Sequence, residues 1–262
     1  MKISTLMSGS SGNAIYIETG KTKVIIDAGQ AGKRLSHALE EGCGVKACEL
    51  DAILVTHAHR DHVLGAGIMS RRYDLPLYAT EGTWCEMESI IGKVATERRF
   101  YIDTKKTWEI GDLKIESFPT SHDALESVGF ICSNGKKRLG VATDSGVFTT
   151  RMTNALQDLD CLVLEANHDV DMLNGGPYPW SLKKRIASTL GHLSNKDAGQ
   201  ALLKICGEKT KNVILAHLSE ENNKPSLALK TVVETLKDHQ ISLADVNIKV
   251  APRHQPGPML SI

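Results

Sequence analysis

The 262-residue sequence predicts an α/β fold of two packed sheets covered by helices on their outer faces. Two observations carry this. Short apolar runs of strand length alternate with amphipathic stretches of helical period along nearly the whole chain. Several of those runs end in His57, His122, Asp144, Glu165 or His217, each followed by a turn or helix. Such endings gather polar groups at one edge of the sheets, where α/β proteins place their chemistry.

Lys2 to Leu6 alternates weakly and meets Ser8-Gly9-Ser10-Ser11-Gly12-Asn13, a tight exposed turn before a strand over Ala14 to Glu18. Ser10 and Asn13 are candidate anion contacts there, because small residues let backbone N–H groups converge. No helix follows as a phosphate loop requires, and a plain hairpin turn accounts for the same residues equally well. Lys23 to Asp27 is the next strand, followed by a helix over Ala31 to Glu41. The apolar run Ala52 to Val55 then empties into His57-Ala-His59-Arg-Asp61-His62, and a helix is expected over Val63 to Arg72. A strand at Leu75 to Ala79 and a helix capped by Thr80 come next.

Strands are expected at Phe100 to Ile102, Leu113 to Phe118, Ser127 to Ser133 and Arg138 to Thr143, the last pair joined by Asn134-Gly135. Leu156 to Asp160 closes a helix, and Cys161 to Glu165 is a wholly apolar strand until its final acid. Asn174-Gly-Gly-Pro-Tyr-Pro-Trp180 reads as a rigid loop, before a basic helix with Lys183, Lys184 and Arg185 that Gly191 ends. A helix over Lys196 to Cys206, a strand at Asn212 to Ala216, a helix over Pro225 to Lys237 and a last strand at Asn247 to Val250 complete the pattern.

A length of 262 residues suits one domain, spanning 1–262, with a full core. The 31 basic and 31 acidic residues cancel, so net charge gives no support for a nucleic-acid partner and no argument against a local basic patch. No run is long and apolar enough for a membrane span, and no secretory segment follows Met1. The six cysteines include no C-x-x-C pair, which favours reduced thiols and a cytoplasmic location.

His57, His59, Asp61, His62, His122, Asp144 and His217 are seven candidate ligands, too many for one tetrahedral ion and suited to two. A pair of divalent ions can generate a hydroxide and clamp both oxygens of an in-line displacement, which fits phosphodiester or thioester hydrolysis. Histidine and carboxylate ligands accept zinc, manganese or iron.

The His57-x-His59-x-Asp61-His62 run resembles the signature of the metallo-β-lactamase fold, an αββα sandwich of two mixed sheets with helices on the outer faces. His122, Asp144 and His217 match that family's later motifs in order. The resemblance implies that His57, His59 and His122 hold one metal, that Asp61, His62 and His217 hold the other, and that Asp144 bridges, with Asp61 also in the catalytic set. Asp144 disfavours class B β-lactamases, His59 disfavours flavo-diiron proteins, and the 72 residues between Asp144 and His217 are too few for a β-CASP insertion.

Glu165-Ala-Asn and His192-Leu-Ser resemble segments of tRNA 3′-processing enzymes of this superfamily. They imply His192 as general acid and Glu165 as its orienter. Together with Ser8 to Asn13, Asn174 to Trp180 and Ala216 to Asn222, these segments resemble the YycJ/WalJ group, also called VicX. That implies a cytoplasmic DNA exonuclease working 5′ to 3′ by attack of a metal-bridging hydroxide. Ala58 stands where many members carry glutamate.

Weaker substrate candidates are His168, the basic residues Lys183, Lys184 and Arg185 as backbone contacts, with Arg71, Arg72 and Lys136 to Arg138, and Tyr178 or Trp180 as stacking platforms. RNA is the alternative polymer. Competing functions are a small-molecule thioesterase or cyclic phosphodiesterase on the same site, and a non-catalytic regulatory module. A leaving thiolate needs little protonation, so Glu165 and His192 argue against the thioesterase.

Overall fold

A computed structural model of the chain describes residues 1–239 and 246–262. Strands β1 (Lys2–Met7), β2 (Ala14–Glu18) and β3 (Lys23–Ile26) pair antiparallel in sequence. Helix α1 (Gly32–Cys43) returns the chain to β4 (Ala52–Leu54), parallel to β3. Helices α2 (Arg60–Val63) and α3 (Ala66–Tyr73) lead to β5 (Leu77–Ala79), and α4 (Glu81–Ile91) leads to β6 (Arg99–Tyr101).

The second sheet begins with β7 (Thr107–Ile110), β8 (Leu113–Pro119), β9 (Val128–Ser133) and β10 (Arg138–Ala142), all antiparallel neighbours. Helix α5 (Thr150–Ala155) precedes β11 (Cys161–Glu165). Helices α6 (Val170–Gly175), α7 (Trp180–Ile186) and α8 (Asn195–Ile205) precede β12 (Asn212–Ala216), and α9 (Pro225–Asp238) precedes β13 (Asn247–Val250). Strand β14 (Leu260–Ser261) closes the first sheet against β1.

Among the described residues each sheet has seven strands, ordered β14-β1-β2-β3-β4-β5-β6 and β13-β12-β11-β10-β9-β8-β7. Both are mixed, with antiparallel pairing on one side and parallel pairing on the other. Alternation within strands builds the layers. Val24 and Ile26 face Ile115, Phe130 and Val163 in a core between the sheets, whereas Ile25 joins Leu35, Leu39 and Met87 beneath the helices. On the second sheet, Leu162 and Leu164 join Leu202, Val232 and Leu236 of α8 and α9. The result is the expected αββα sandwich. Strands buried on both faces explain the near-continuous apolar runs in the sequence.

Four local expectations need correction. The helix over Val63 to Arg72 is two helices, because the Gly65 N–H donates to Ala28 O at 2.8 Å instead of continuing one turn. A Cβ at Gly65 would lie 2.1 Å from Gln30 O, so this crossing needs glycine. Helix α6, capped by the Asp169 side chain on Met172 N, takes up Asn174 and Gly175, the first two residues of the expected loop. Helix α7 stops at Ile186, well before Gly191. Strands β7 and β14 lacked a legible pattern: β7 is half exposed, and β14 is two residues defined only by pairing with β1.

Candidate metal centre

Strands β8, β10, β11 and β12 run in one direction, so the residues following them meet the loop after β4 at one edge of the sandwich. Three residues there have left-handed backbones although none is glycine: Asp27 (φ 63°), Asp144 (φ 56°) and His217 (φ 55°). Such conformations cost about 1–3 kcal/mol each and persist where surrounding structure fixes them. At His217 the fixing is visible: Ser8 Oγ accepts its N–H at 2.8 Å, and Asn167 Nδ2 donates to its carbonyl at 2.9 Å.

Two groups of ligand atoms face each other. His57 Nε2 and His122 Nε2 lie 3.1 and 3.2 Å from His59 Nδ1. Asp61 Oδ2 lies 3.3 Å from His217 Nε2 and 3.5 Å from His62 Nε2. Asp144 stands between them, its Oδ2 3.3 Å from His62 Nε2 and its Oδ1 3.8 Å from His122 Nε2. Oδ2 of Asp144 is buried and makes no hydrogen bond among the described residues. A buried carboxylate oxygen without a partner is costly. A cation between the two groups would satisfy it, so the donors fit two divalent ions.

The far nitrogens of these imidazoles are mostly anchored. His57 Nδ1 donates to Thr56 Oγ1 (3.0 Å), His62 Nδ1 to Asp27 Oδ2 (2.7 Å), and His122 Nδ1 to Gly191 O (3.0 Å). Asp27 in turn accepts the Thr56 N–H at 2.8 Å. Anchoring one ring nitrogen leaves the other as a lone pair aimed inward. Asp27, Thr56 and the Gly191 carbonyl were not anticipated. Asp27 follows a strand just as Asp144 does, so the strand-end pattern extended to β3 finds it.

Glu165 is fully buried and holds two histidines with one oxygen. Its Oε1 accepts His192 Nδ1 at 2.7 Å and His217 Nδ1 at 2.9 Å, while Oε2 accepts the backbone N–H of Ser145 and Leu193. Burial would raise its pKa, but the two imidazoles hold Glu165 well below the ordinary carboxylate range. The same balance, with burial opposing and Asp144, Asp61 and Glu165 prevailing, pushes His217 up to about 10. His192 is raised likewise, against burial, chiefly by Glu165. Burial and neighbouring imidazoles hold His57 well below its usual value, in the neutral form that ligates metals.

The remaining candidates divide. Ser10 is exposed, whereas Asn13 is buried and turns inward: its Nδ2 donates to Asp61 O (3.2 Å) and its Oδ1 accepts Gly9 N–H (2.8 Å). His168 is buried with its Nδ1 unpartnered among the described residues. Lys183 Nζ donates to the neutral Asn174 O at 2.7 Å and keeps its charge, whereas Arg185 Nε is paired with Asp123 Oδ2 at 2.5 Å. Lys184 Nζ lies 5.5 Å from the ring of Trp180, which is 64% exposed, and Tyr178 is half-buried. Arg71 is committed to the carbonyls of Ile91 and Lys93. Lys136 to Arg138 lies at the opposite end of β10 from Asp144, with Lys137 paired to Asp160 at 2.7 Å.

Residues 22–218 match the model of the beta-lactamase superfamily domain. The chain is 43% identical over 251 residues to Exodeoxyribonuclease WalJ of Streptococcus pneumoniae serotype 2 (strain D39 / NCTC 7466), covering 95% of this chain and 91% of that protein. The chain belongs to the WalJ/YycJ family of the β-lactamase superfamily. A second family member, Exodeoxyribonuclease YycJ of Bacillus anthracis, is 40% identical over 238 residues, 91% of this chain and 90% of its own length. The metallo-β-lactamase fold protein YhfI from Bacillus subtilis superposes with a TM-score of 0.73 at 16% identity, covering 98% of each chain, which shows the superfamily fold.

Proposed function

We propose that this chain is a two-metal phosphodiesterase that removes nucleotides from DNA in the 5′-to-3′ direction. The observation that carries it is the Glu165–His192 pair beside Asp144, with His192 Nδ1 3.6 Å from Asp144 Oδ1. An alkoxide leaving group needs a proton donor, and a thiolate does not.

His57, His59 and His122 would hold one divalent ion, Asp61, His62 and His217 the other, with Asp144 shared. Such ions, zinc, manganese or iron, supply a water of lowered pKa and neutralise charge on the phosphate oxygens. Glu165 occupies Nδ1 of His192, so Nε2 is the nitrogen left to protonate the departing 3′-oxygen. Against burial, Glu165 and Asp144 raise His192, which favours its protonated form. Trp180, Tyr178 and Lys184 would offer a terminal base and the backbone a stacking and charged platform, and Ser10 a further phosphate contact.

The names of the two relatives support DNA over RNA. All six cysteines are free, which supports a reducing, cytoplasmic setting. Among the described residues no helix is long and apolar enough to cross a membrane. We read residues 1–262 as one catalytic unit without a β-CASP insertion.

The test is purified protein with manganese or zinc on duplex DNA labelled at either the 5′ or the 3′ end, beside matched RNA and a glutathione thioester. Mononucleotides released progressively from the DNA 5′ end are expected. Release from the 3′ end, preference for RNA, or thioester cleavage alone would each overturn part of the reading.

A further inference from the structure

Four of the five clustered ligand histidines have the ring nitrogen that faces away from the site on an acceptor: Thr56 for His57, Asp27 for His62, Gly191 for His122 and Glu165 for His217. His59 is the exception. Its Nδ1 faces His57 and His122, and its Nε2 makes no hydrogen bond among the described residues. The acceptor nearest in kind is Asp123 Oδ1, 3.7 Å away. That oxygen is itself buried and without a hydrogen-bond partner among the described residues. The half-buried His59 Nε2 and this oxygen therefore face each other across slightly more than a hydrogen bond, and the same oxygen lies 3.5 Å from His122 Nε2.

Asp123 is held in that place from three sides. Its other oxygen takes Arg185 Nε at 2.5 Å. Its backbone N–H donates to Leu190 O at 3.1 Å. The adjacent Ser121 Oγ donates to Thr189 O at 2.9 Å. Arg185 lies in α7, so the basic helix is fastened to the loop after β8 through this carboxylate.

We propose that Asp123, clamped by Arg185, is the positioning residue of His59, accepting its Nε2–H and so fixing Nδ1 as the lone pair offered to the first ion. This rests on the two-metal reading above. It also reassigns Arg185: the guanidinium serves the metal centre through Asp123 and is not a DNA contact.

The test is zinc binding by competition with a chromophoric chelator on metal-stripped protein, for wild type, D123A, D123N and R185Q, with metal-free thermal melts as a check of folding. D123A is expected to weaken one of the two sites about 10–100-fold and to leave the other within about threefold. D123N keeps an oxygen that can accept the Nε2–H, so a smaller loss is expected. R185Q unfastens Asp123 and shifts the same site in the same direction. Wild-type affinity at both sites in D123A would overturn the inference. So would a D123N loss as large as that of D123A, since Asp123 would then act as a direct ligand or as a bare charge. If D123A does not fold, D123N and R185Q still decide: an R185Q protein with both affinities unchanged overturns the clamp. Wild-type protein that binds fewer than two ions would instead undo the two-metal reading.

Discussion

The first sheet delivers its share of the site locally, and the second delivers it globally. After β4, a turn of six residues carries His57, His59, Asp61 and His62, with Asp27 from the neighbouring strand end behind them. The second sheet contributes His122, Asp144, His192 and His217 from the connections after β8, β10, β11 and β12, and Glu165 from the end of β11, spread over nearly a hundred residues. Both sheets have the same succession of antiparallel and parallel pairings. The difference is that the first half depends on one loop's shape, while the second depends on the mutual register of β8, β10, β11 and β12. Damage to the first should weaken one contact at a time. Damage to the second should remove function outright.

The largest effect expected is at Asp144, the residue nearest to both ligand groups. D144A should lower nucleotide release from 5′-phosphorylated duplex DNA by about four orders of magnitude. Metal content measured on the same protein should fall below two ions.

Next comes His192. H192Q should cost about a thousandfold in kcat on DNA with metal content unchanged. On bis-para-nitrophenyl phosphate, whose leaving group departs without a proton, the same variant should lose little. An equal loss on both substrates would remove His192 from the role of acid.

On the first sheet, D27N breaks the anchor of His62 while leaving every ligand atom in place. A loss of about 10–100-fold in affinity for one ion is expected, by chelator competition. A complete loss of both ions would show that the local half is as interdependent as the other.

The smallest effect lies far from the site. Asp160 accepts Lys137 Nζ and the Arg138 N–H, and although burial opposes ionisation these partners lower its pKa. A depressed carboxylate contributes stability that is present above its unfolded value of about 4 and is lost as pH falls through the folded one. D160N should therefore lower stability at pH 7 slightly, by less than about 1 kcal/mol for this partly exposed pair, seen as a small fall in melting temperature, and should not do so near pH 2.

The local half was the more legible. Three histidines and an aspartate within six positions declare a ligand cluster without any knowledge of the fold. The dispersed half was legible as strand ends, and it acquired roles only through resemblance to a family. Asp27 and Asp123 escaped because each has its meaning through a partner far along the chain, 35 residues away for His62 and 62 for Arg185. The break at Gly65 escaped for the same reason: its N–H is taken by Ala28, a partner that helical periodicity does not register.

One oxygen of Glu165 serves both His192 and His217. The proposed proton donor and a candidate metal ligand therefore draw on a single reservoir of negative charge. An ion that pulls harder on His217 takes more of that charge and leaves His192 a stronger acid. By thermodynamic reciprocity, protonation of His192 changes how tightly that ion is held. In the two-metal reading, the choice of metal would then also influence the pH range of the reaction.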